Sequence, residues 1–341
     1  LPTLAAVDLR RAVLQRQLLT ARAADDVAGV LSRVASLQSQ YAPTMYVGLW
    51  SRVEGFRRDD LTTALGERRV VQGTMMRSTI HLTAAADYWP LNLAIRESRQ
   101  RWYLRTHGVD ETAACAAAAR TRAAFDGADV LSRRELEAVA GPAGAAVGLF
   151  VDLVRVPPSG TWERRRADLF GLAEQWVGAA PDITAADAWA HAVRHYLTGF
   201  GPATVNEIAS WAGVNVGAVT PAVRSMSLDR YRATDGKVLL DLPGLAVPPA
   251  TTPLPVRFIG NWEALLLVHA RRAEILAEAD RPRIFGVRTP HSFSTFLVDG
   301  VVTGTWRHED GRIVVEPWRA LSVSERAAVD EEAIRLAALH T

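Results

Sequence analysis

The chain has 341 residues, 49% of them hydrophobic and 22% charged, which is too long for one small core and implies two to four compact units. This composition excludes disordered and fibrous classes, no apolar run reaches bilayer length, and the lone Cys115 excludes a disulfide framework or a cysteine-based zinc site. The net charge of +2 hides a split: residues 1–170 carry 23 Arg against 18 acids, net +5, while 171–341 carry 15 Arg and one Lys against 19, net −3. A polyanion would therefore favour the N-terminal half, unless the Arg-rich, Ala-rich text reflects only a GC-rich genome.

Leu1–Asp8 shows no basic stretch leading into an apolar segment, so no secretory signal is expected and a reducing cytoplasm fits. Leu9–Leu19 has helical apolar spacing. Asp25 and Asp26 place carboxylates in the first turn of a helix running to about Ser36, with Val27, Val30, Leu31 and Val34 on one face. Helices over about Met45–Val53 and from Asp59–Asp60 follow, then short strands at Val70–Val71 and Thr79–Leu82. Three helices and a two-stranded ribbon form the winged-helix order.

The order recurs. Ala84–His107 and Glu111–Phe125 are helical, Ser132 with Glu135 forms a capping box for Arg133–Val139, and Ala143–Val154 is a further helix. Val154–Pro157 and Thr161–Arg165 are the expected ribbon. In a third copy, helices at Thr184–Leu197, Ala203–Trp211 and Val216–Met226 precede a hairpin turning at Asp235–Gly236. Beyond the Pro-rich Pro243–Pro255, strand-like runs at Arg283–Val287, Ser294–Val298, Val301–Trp306 and Arg312–Glu316 precede a helix from Ser322 to His340. The expected class is mainly α with small β elements (α+β). Three tandem winged helices, at 1–90, 91–180 and 181–250, are followed by a C-terminal β-barrel-like domain at 251–341.

Most catalytic signatures are missing: there is no phosphate-binding glycine loop, no His-Glu-x-x-His and no nucleophile elbow. His191 and His195, at i,i+4 on a helix, have the spacing of a metal pair, but no third ligand follows in sequence, and packing is the expected role. No metal and no cofactor is expected. Ser36–Pro43 stands out. Pro43 disfavours helix at Ala42, so the chain should be extended there, and extension turns Gln38 and Gln40 to one side. From spacing alone, two presented amides compete with plain polar residues ending a helix.

Gln38-Ser39-Gln40, Tyr41-Ala42-Pro43 and Val47-Gly48-Leu49-Trp50 resemble the text of the AlkZ-type DNA glycosylases. So do Met76–Leu82, Ser159–Glu163, Phe200–Thr204, Leu297–Gly300 and Gly304–Arg307, in order over nearly the whole chain. The resemblance implies excision of N7-alkylated purines, including bulky and interstrand-crosslinking genotoxin adducts, from double-stranded DNA, in DNA repair or antibiotic self-resistance. It implies a monofunctional, monomeric, cytoplasmic (nucleoid-associated) enzyme with Gln38 and Gln40 catalytic. The family signature is Gln, aliphatic, Gln, from which Ser39 departs at a position that should point away from the site. Phe258–Glu263 also departs from the family's usual text.

Arg77 and His81, in the first ribbon, are candidates for phosphate or lesion contact, against a salt-bridged ribbon. Arg164, Arg165 and Arg166 beside Trp162 are candidates to grip the backbone, against a solvated face. Arg288 and His291, in a C-terminal loop, are candidates because a hairpin of this region approaches the minor groove in the family. A non-catalytic winged-helix transcription regulator is the alternative, and sequestration of drug or lesion a third possibility.

Overall fold

The computed structural model describes residues 1–141, 144–267, 269, 274–286 and 292–341. The chain opens with β1 (Thr3–Leu4) and α1 (Ala6–Arg16). α2 (Val27–Arg33) starts where the Asp26 carboxylate accepts from the Gly29 amide at 2.8 Å, so the aspartate seen in the sequence is its N-cap. β2 (Leu37–Gln38), α3 (Ala42–Trp50), α4 (Arg58–Gly66), β3 (Val70–Thr74) and β4 (Ile80–Ala84) follow. Ala42 itself begins α3: the extended residue is Tyr41, at φ −126° and ψ 124°, and Pro43 occupies the first turn, where a missing N–H costs nothing.

Next come α5 (Ala85–His107), α6 (Glu111–Ala124), β5 (Leu131–Ser132), α7 (Arg133–Ala140), α8 (Gly144–Phe150), β6 (Leu153–Arg155) and β7 (Leu169–Leu172). The anticipated capping box is present, with the Ser132 amide donating to Glu135 Oε2 at 2.7 Å. The second ribbon departs from expectation: its returning strand is Leu169–Leu172, not Thr161–Arg165. Trp162 is the cause. It is buried between the rings of Tyr46 and His340, at 5.5 and 5.0 Å, and holds its segment away from the sheet.

α9 (Ala173–Trp176), α10 (Ala185–Phe200), α11 (Val205–Ala212), α12 (Val216–Ser225) and the hairpin β8 (Asp229–Ala233) and β9 (Val238–Asp241) form the third succession. The last part holds β10 (Arg257–Ile259), α13 (Arg281–Ile284), β11 (Thr295–Val298), β12 (Val301–Glu309), β13 (Arg312–Pro317) and α14 (Val323–His340). Residues 283–284, expected as strand, end a short helix whose first turn takes Pro282, a residue that cannot donate to a ladder. β10 is the outer strand instead. The order β10-β11-β12-β13 is an open antiparallel sheet, and the closed barrel anticipated for this part does not form among the described residues. Val329, Leu336 and Leu339 of α14 join Phe258, Phe296 and Trp306 in one core, so a helix covers the sheet's apolar side without closure.

The fold is thus mixed α+β. Its central feature is a six-stranded sheet ordered β2-β4-β3-β6-β7-β5, in which the first and second ribbons meet through pairing of Gln72 with Arg155 and Gly73 with Val154. Beneath it a buried ion pair locks distant parts together. Arg52 donates to Glu263 Oε1 at 2.9 Å, to the Gly48 carbonyl at 3.0 Å and to Gln17 Oε1 at 3.1 Å. Gln17 in turn donates to the carbonyls of Val34 and Gly199, both at 2.9 Å. Glu263→Ala leaves a fully buried guanidinium uncompensated. It should lower stability by about 3–5 kcal/mol, measured as a fall in the urea midpoint, and Glu263→Gln, which keeps an acceptor, should lose less.

Candidate active site

β2 is two residues long, and two unusual turns place it. Ala35 and Ser36 both take left-handed backbones, at φ 61° and 69°, before the strand begins. Such conformations cost non-glycine residues on the order of 1–2 kcal/mol each. The pair reverses the chain out of α2 so that Leu37 and Gln38 lie antiparallel to β4, opposite Leu82 and His81. The Ser39 amide then donates to the Ile80 carbonyl at 2.8 Å.

Gln38 is 8% exposed, and its Oε1 accepts from Arg77 Nη2 at 3.3 Å. Gln40 is exposed, and its Oε1 lies 3.4 Å from the Ile80 amide. Both carboxamides therefore face the segment from Arg77 to Ile80. Ser39 between them is fully buried, on the other side of the backbone, as alternation requires.

Arg77 and Ser78 form the second turn, at φ 55° and 56°. Arg77 Nη1 donates to the Trp211 carbonyl at 2.6 Å, at the end of α11, while Nη2 reaches Gln38 and, at 3.4 Å, His81 Nε2. His81 Nδ1 lies 3.1 Å from the Thr79 carbonyl. That carbonyl can only accept, so Nδ1 carries the proton and Nε2 offers its lone pair to Arg77. Burial, followed by the adjacent Arg77 charge, pushes the His81 imidazole down to about 3. Burial also lowers Arg77 to about 10, which leaves it cationic at neutral pH.

Of the sequence-derived basic residues, the structure brings Arg77 to Gln38 and His81 beside it, while Arg165 lies over the Trp162 ring. Arg165 Nη1 donates to the hydroxyl of Tyr41 at 3.1 Å, next to Gln40. Arg164 and Arg166 turn instead to Asp168, at 3.0 and 3.8 Å. Arg288 and His291 lie outside the described residues. Sequence reasoning missed Arg155 on β6, whose Nη1 reaches the Ser39 carbonyl at 3.4 Å and whose guanidinium is lowered to about 10 by burial. A single arginine in a short strand gives no signal, because its place depends on the merging of two ribbons. Beside Arg77, a cavity of about 220 Å³ opens between Ser78, Arg99, Trp102 and Gly213.

The arrangement offers two neutral amides, two cations (Arg77 and Arg155) and one imidazole locked in its neutral form. It can orient a water and stabilise negative charge, and among the described residues no protonated acid contacts the glutamines. The folded pKa of His81 lies below the unfolded value near 6.5. The stability this burial requires is present above pH 6.5 and is lost as pH falls towards 3. In His81→Gln, the decline of unfolding free energy between pH 6 and 4 should be shallower by up to about 1.4 kcal/mol per pH unit, read from denaturation midpoints.

Residues 31–339 match the family model described as DNA glycosylase AlkZ-like. The chain is also similar in fold to the solved Streptomyces sahachiroi DNA glycosylase AlkZ, with a TM-score of 0.83 over 99% of this chain and 97% of that chain, at 20% sequence identity. No curated protein matches it. No helix among the described residues is long and apolar enough to cross a membrane.

Proposed function

This chain belongs to the AlkZ-like DNA glycosylase family, and we propose that it hydrolyses the N-glycosidic bond of N7-alkylated purines in double-stranded DNA, including bulky and interstrand-crosslinking genotoxin adducts. Gln38 and Gln40 hold the attacking water. The observation that carries this reading is the convergence of both carboxamides on the Arg77–Ile80 segment, with Arg155 and Arg165 bonded to the residues between and beside them.

Alkylation at N7 gives the purine a positive charge, so the base leaves without prior protonation and no general acid is needed. The C1′–N9 pair moves onto the base and neutralises it, the water oxygen bonds to C1′, and its proton passes to solvent. The products are the alkylated purine and an abasic deoxyribose. Each carboxamide offers an oxygen acceptor and two N–H donors. With Gln38 Oε1 turned to Arg77, its amide nitrogen has a defined direction, and the water is positioned rather than deprotonated. A neutral His81 fits this scheme, because it cannot protonate an ordinary purine, and cationic lesions are selected by their own reactivity.

The reading is monofunctional. Strand cleavage through a Schiff base needs an amine nucleophile, and Lys237, the sequence's one lysine, lies on the β8–β9 hairpin paired with Asp235 at 2.7 Å. We read the three helix–ribbon successions as winged helices at 1–90, 91–180 and 181–250, with the sheet and α14 at 251–341. As in the resemblance, a monomer working in the cytoplasm on nucleoid DNA in repair or self-resistance is proposed. Tandem winged helices can lay a broad groove along the duplex and reach the sugar without freely extruding a tethered base, which a crosslink forbids.

Gln38→Ala and Gln40→Ala should each slow release of N7-alkylguanine by on the order of 100-fold while retaining duplex affinity, measured by alkaline cleavage at the abasic sites formed. Unchanged rates would reject the assignment, and sequence-specific binding with no base release would favour a regulator. Gly213→Ala tests the support of Arg77. A Cβ there would stand 2.8 Å from the Arg77 backbone, at a glycine whose φ is +76°. Excision should fall with little change in DNA binding.

A further inference from the structure

His191 and His195 on α10 have a spacing that the proposed reaction does not use. The fold brings Asp87, in the first turn of α5, up to them. His191 Nε2 lies 3.0 Å from Asp87 Oδ1, and His195 Nδ1 lies 3.9 Å from Asp87 Oδ2. One ligand atom from each of the three residues falls within 4.8 Å of the others. We propose that Asp87, His191 and His195 bind one divalent cation of borderline softness, with zinc the best match.

Two imidazoles and a carboxylate are a common donor set for such ions. Ligands about 2.0 Å from a tetrahedral centre stand roughly 3.3 Å apart; the His191 separation of 3.0 Å is near this and the His195 separation of 3.9 Å is longer, so binding would draw His195 in. The two imidazole planes are 17° apart with centroids at 5.9 Å, one helical turn from each other, so both edges face the same carboxylate. His191 Nε2 is buried and points at the Asp87 carboxylate 3.0 Å away.

The surrounding hydroxyls fix the protonation pattern. Ser36 Oγ donates to Thr83 Oγ1 at 2.9 Å and therefore has a lone pair for His195 Nε2, 3.1 Å away. Nε2 then carries the proton, and the unprotonated Nδ1 faces Asp87, which is the tautomer that binds metal. Ser32 Oγ donates to one lone pair of Asp87 Oδ2 at 2.5 Å and holds the carboxylate between the two imidazoles. The His191 side chain is 30% exposed, giving an entry path and room for a water as fourth ligand. A cation here would join α5 to α10 and, through Ser32 and Ser36, brace α2 and the left-handed turn that precedes Gln38. The site stands on its own geometry and does not depend on the proposed reaction.

The test uses the tag-free full chain, stripped with a chelator, equilibrated with Zn²⁺ and passed through a desalting column. Elemental analysis should find one zinc per chain. Zinc should raise the thermal midpoint, and Co²⁺ should give the visible bands of a tetrahedral N/O site. His191→Ala, a change at a partly exposed side chain, should abolish all three. His308→Ala, at a separate surface pair stacked on His340, should leave them intact. Ser36→Ala should weaken zinc binding by about 10- to 100-fold. Substoichiometric zinc in the wild type, or equal retention by His191→Ala, would overturn the proposal. So would a His191→Ala chain that is less stable than wild type without metal while zinc stabilises neither, since that marks a plain Asp87–His191 ion pair.

Discussion

The site depends on a backbone that is unfavourable where it stands. Ala35 and Ser36 are left-handed without being glycine, and they persist because their surroundings leave no alternative. Gln17 grips the preceding Val34 carbonyl together with that of Gly199. A Cβ on Gly199 would meet the Val34 carbonyl carbon at 2.8 Å, so α10 can approach this closely only as glycine. The Ala35 methyl is buried, and the Ser36 hydroxyl is bound on both sides. Gln17 itself is held by Arg52, and Arg52 by Glu263. A chain of buried polar contacts thus runs from the C-terminal part to the turn that aims Gln38.

The facing turn follows the same logic. Arg77 and Ser78 are left-handed as well, seated on Gly213 and on the carbonyl of Trp211. Two left-handed turns, one from α2 into β2 and one between β3 and β4, flank the glutamines, each packed against the third helix succession. α10 and α11 thereby act on the first ribbon's geometry. The position of Arg77 Nη2, and with it the orientation of the Gln38 amide, is set by residues more than a hundred positions away in sequence.

Local signals were the legible ones. Asp26 and Ser132 cap their helices through side-chain acceptors, and a hairpin turns at Asp235–Gly236, where periodicity and turn chemistry place it. The alternation of Gln38, Ser39 and Gln40 was equally readable, since it needs only an extended backbone. Partners supplied by tertiary folding were not. Arg155 reaches Ser39 because two ribbons share a sheet, Trp162 removes its segment from a strand by burying its ring in another core, and Asp87 meets His191 and His195 across two helices. The barrel expected at the C-terminus failed for a related reason: strand patterns in sequence specify an apolar side but leave open whether closure or a helix covers it.

Neutral amides are a consistent choice between these cations. A carboxylate in place of Gln38 would stand at ion-pair distance from a poorly solvated Arg77, and its charge would be bound tightly to that guanidinium. A carboxamide accepts from Arg77 through its oxygen and still offers N–H groups without taking up charge. Because His81 is neutral across the physiological range, the electrostatics beside Gln38 are set by arginines and stay constant with pH. On the proposed reading, the arginines favour the polyanionic duplex, and the amides fix the water without protonating the base. Selection among purines then falls to the charge that the lesion itself carries, and an unmodified base would stay in place even when fully bound.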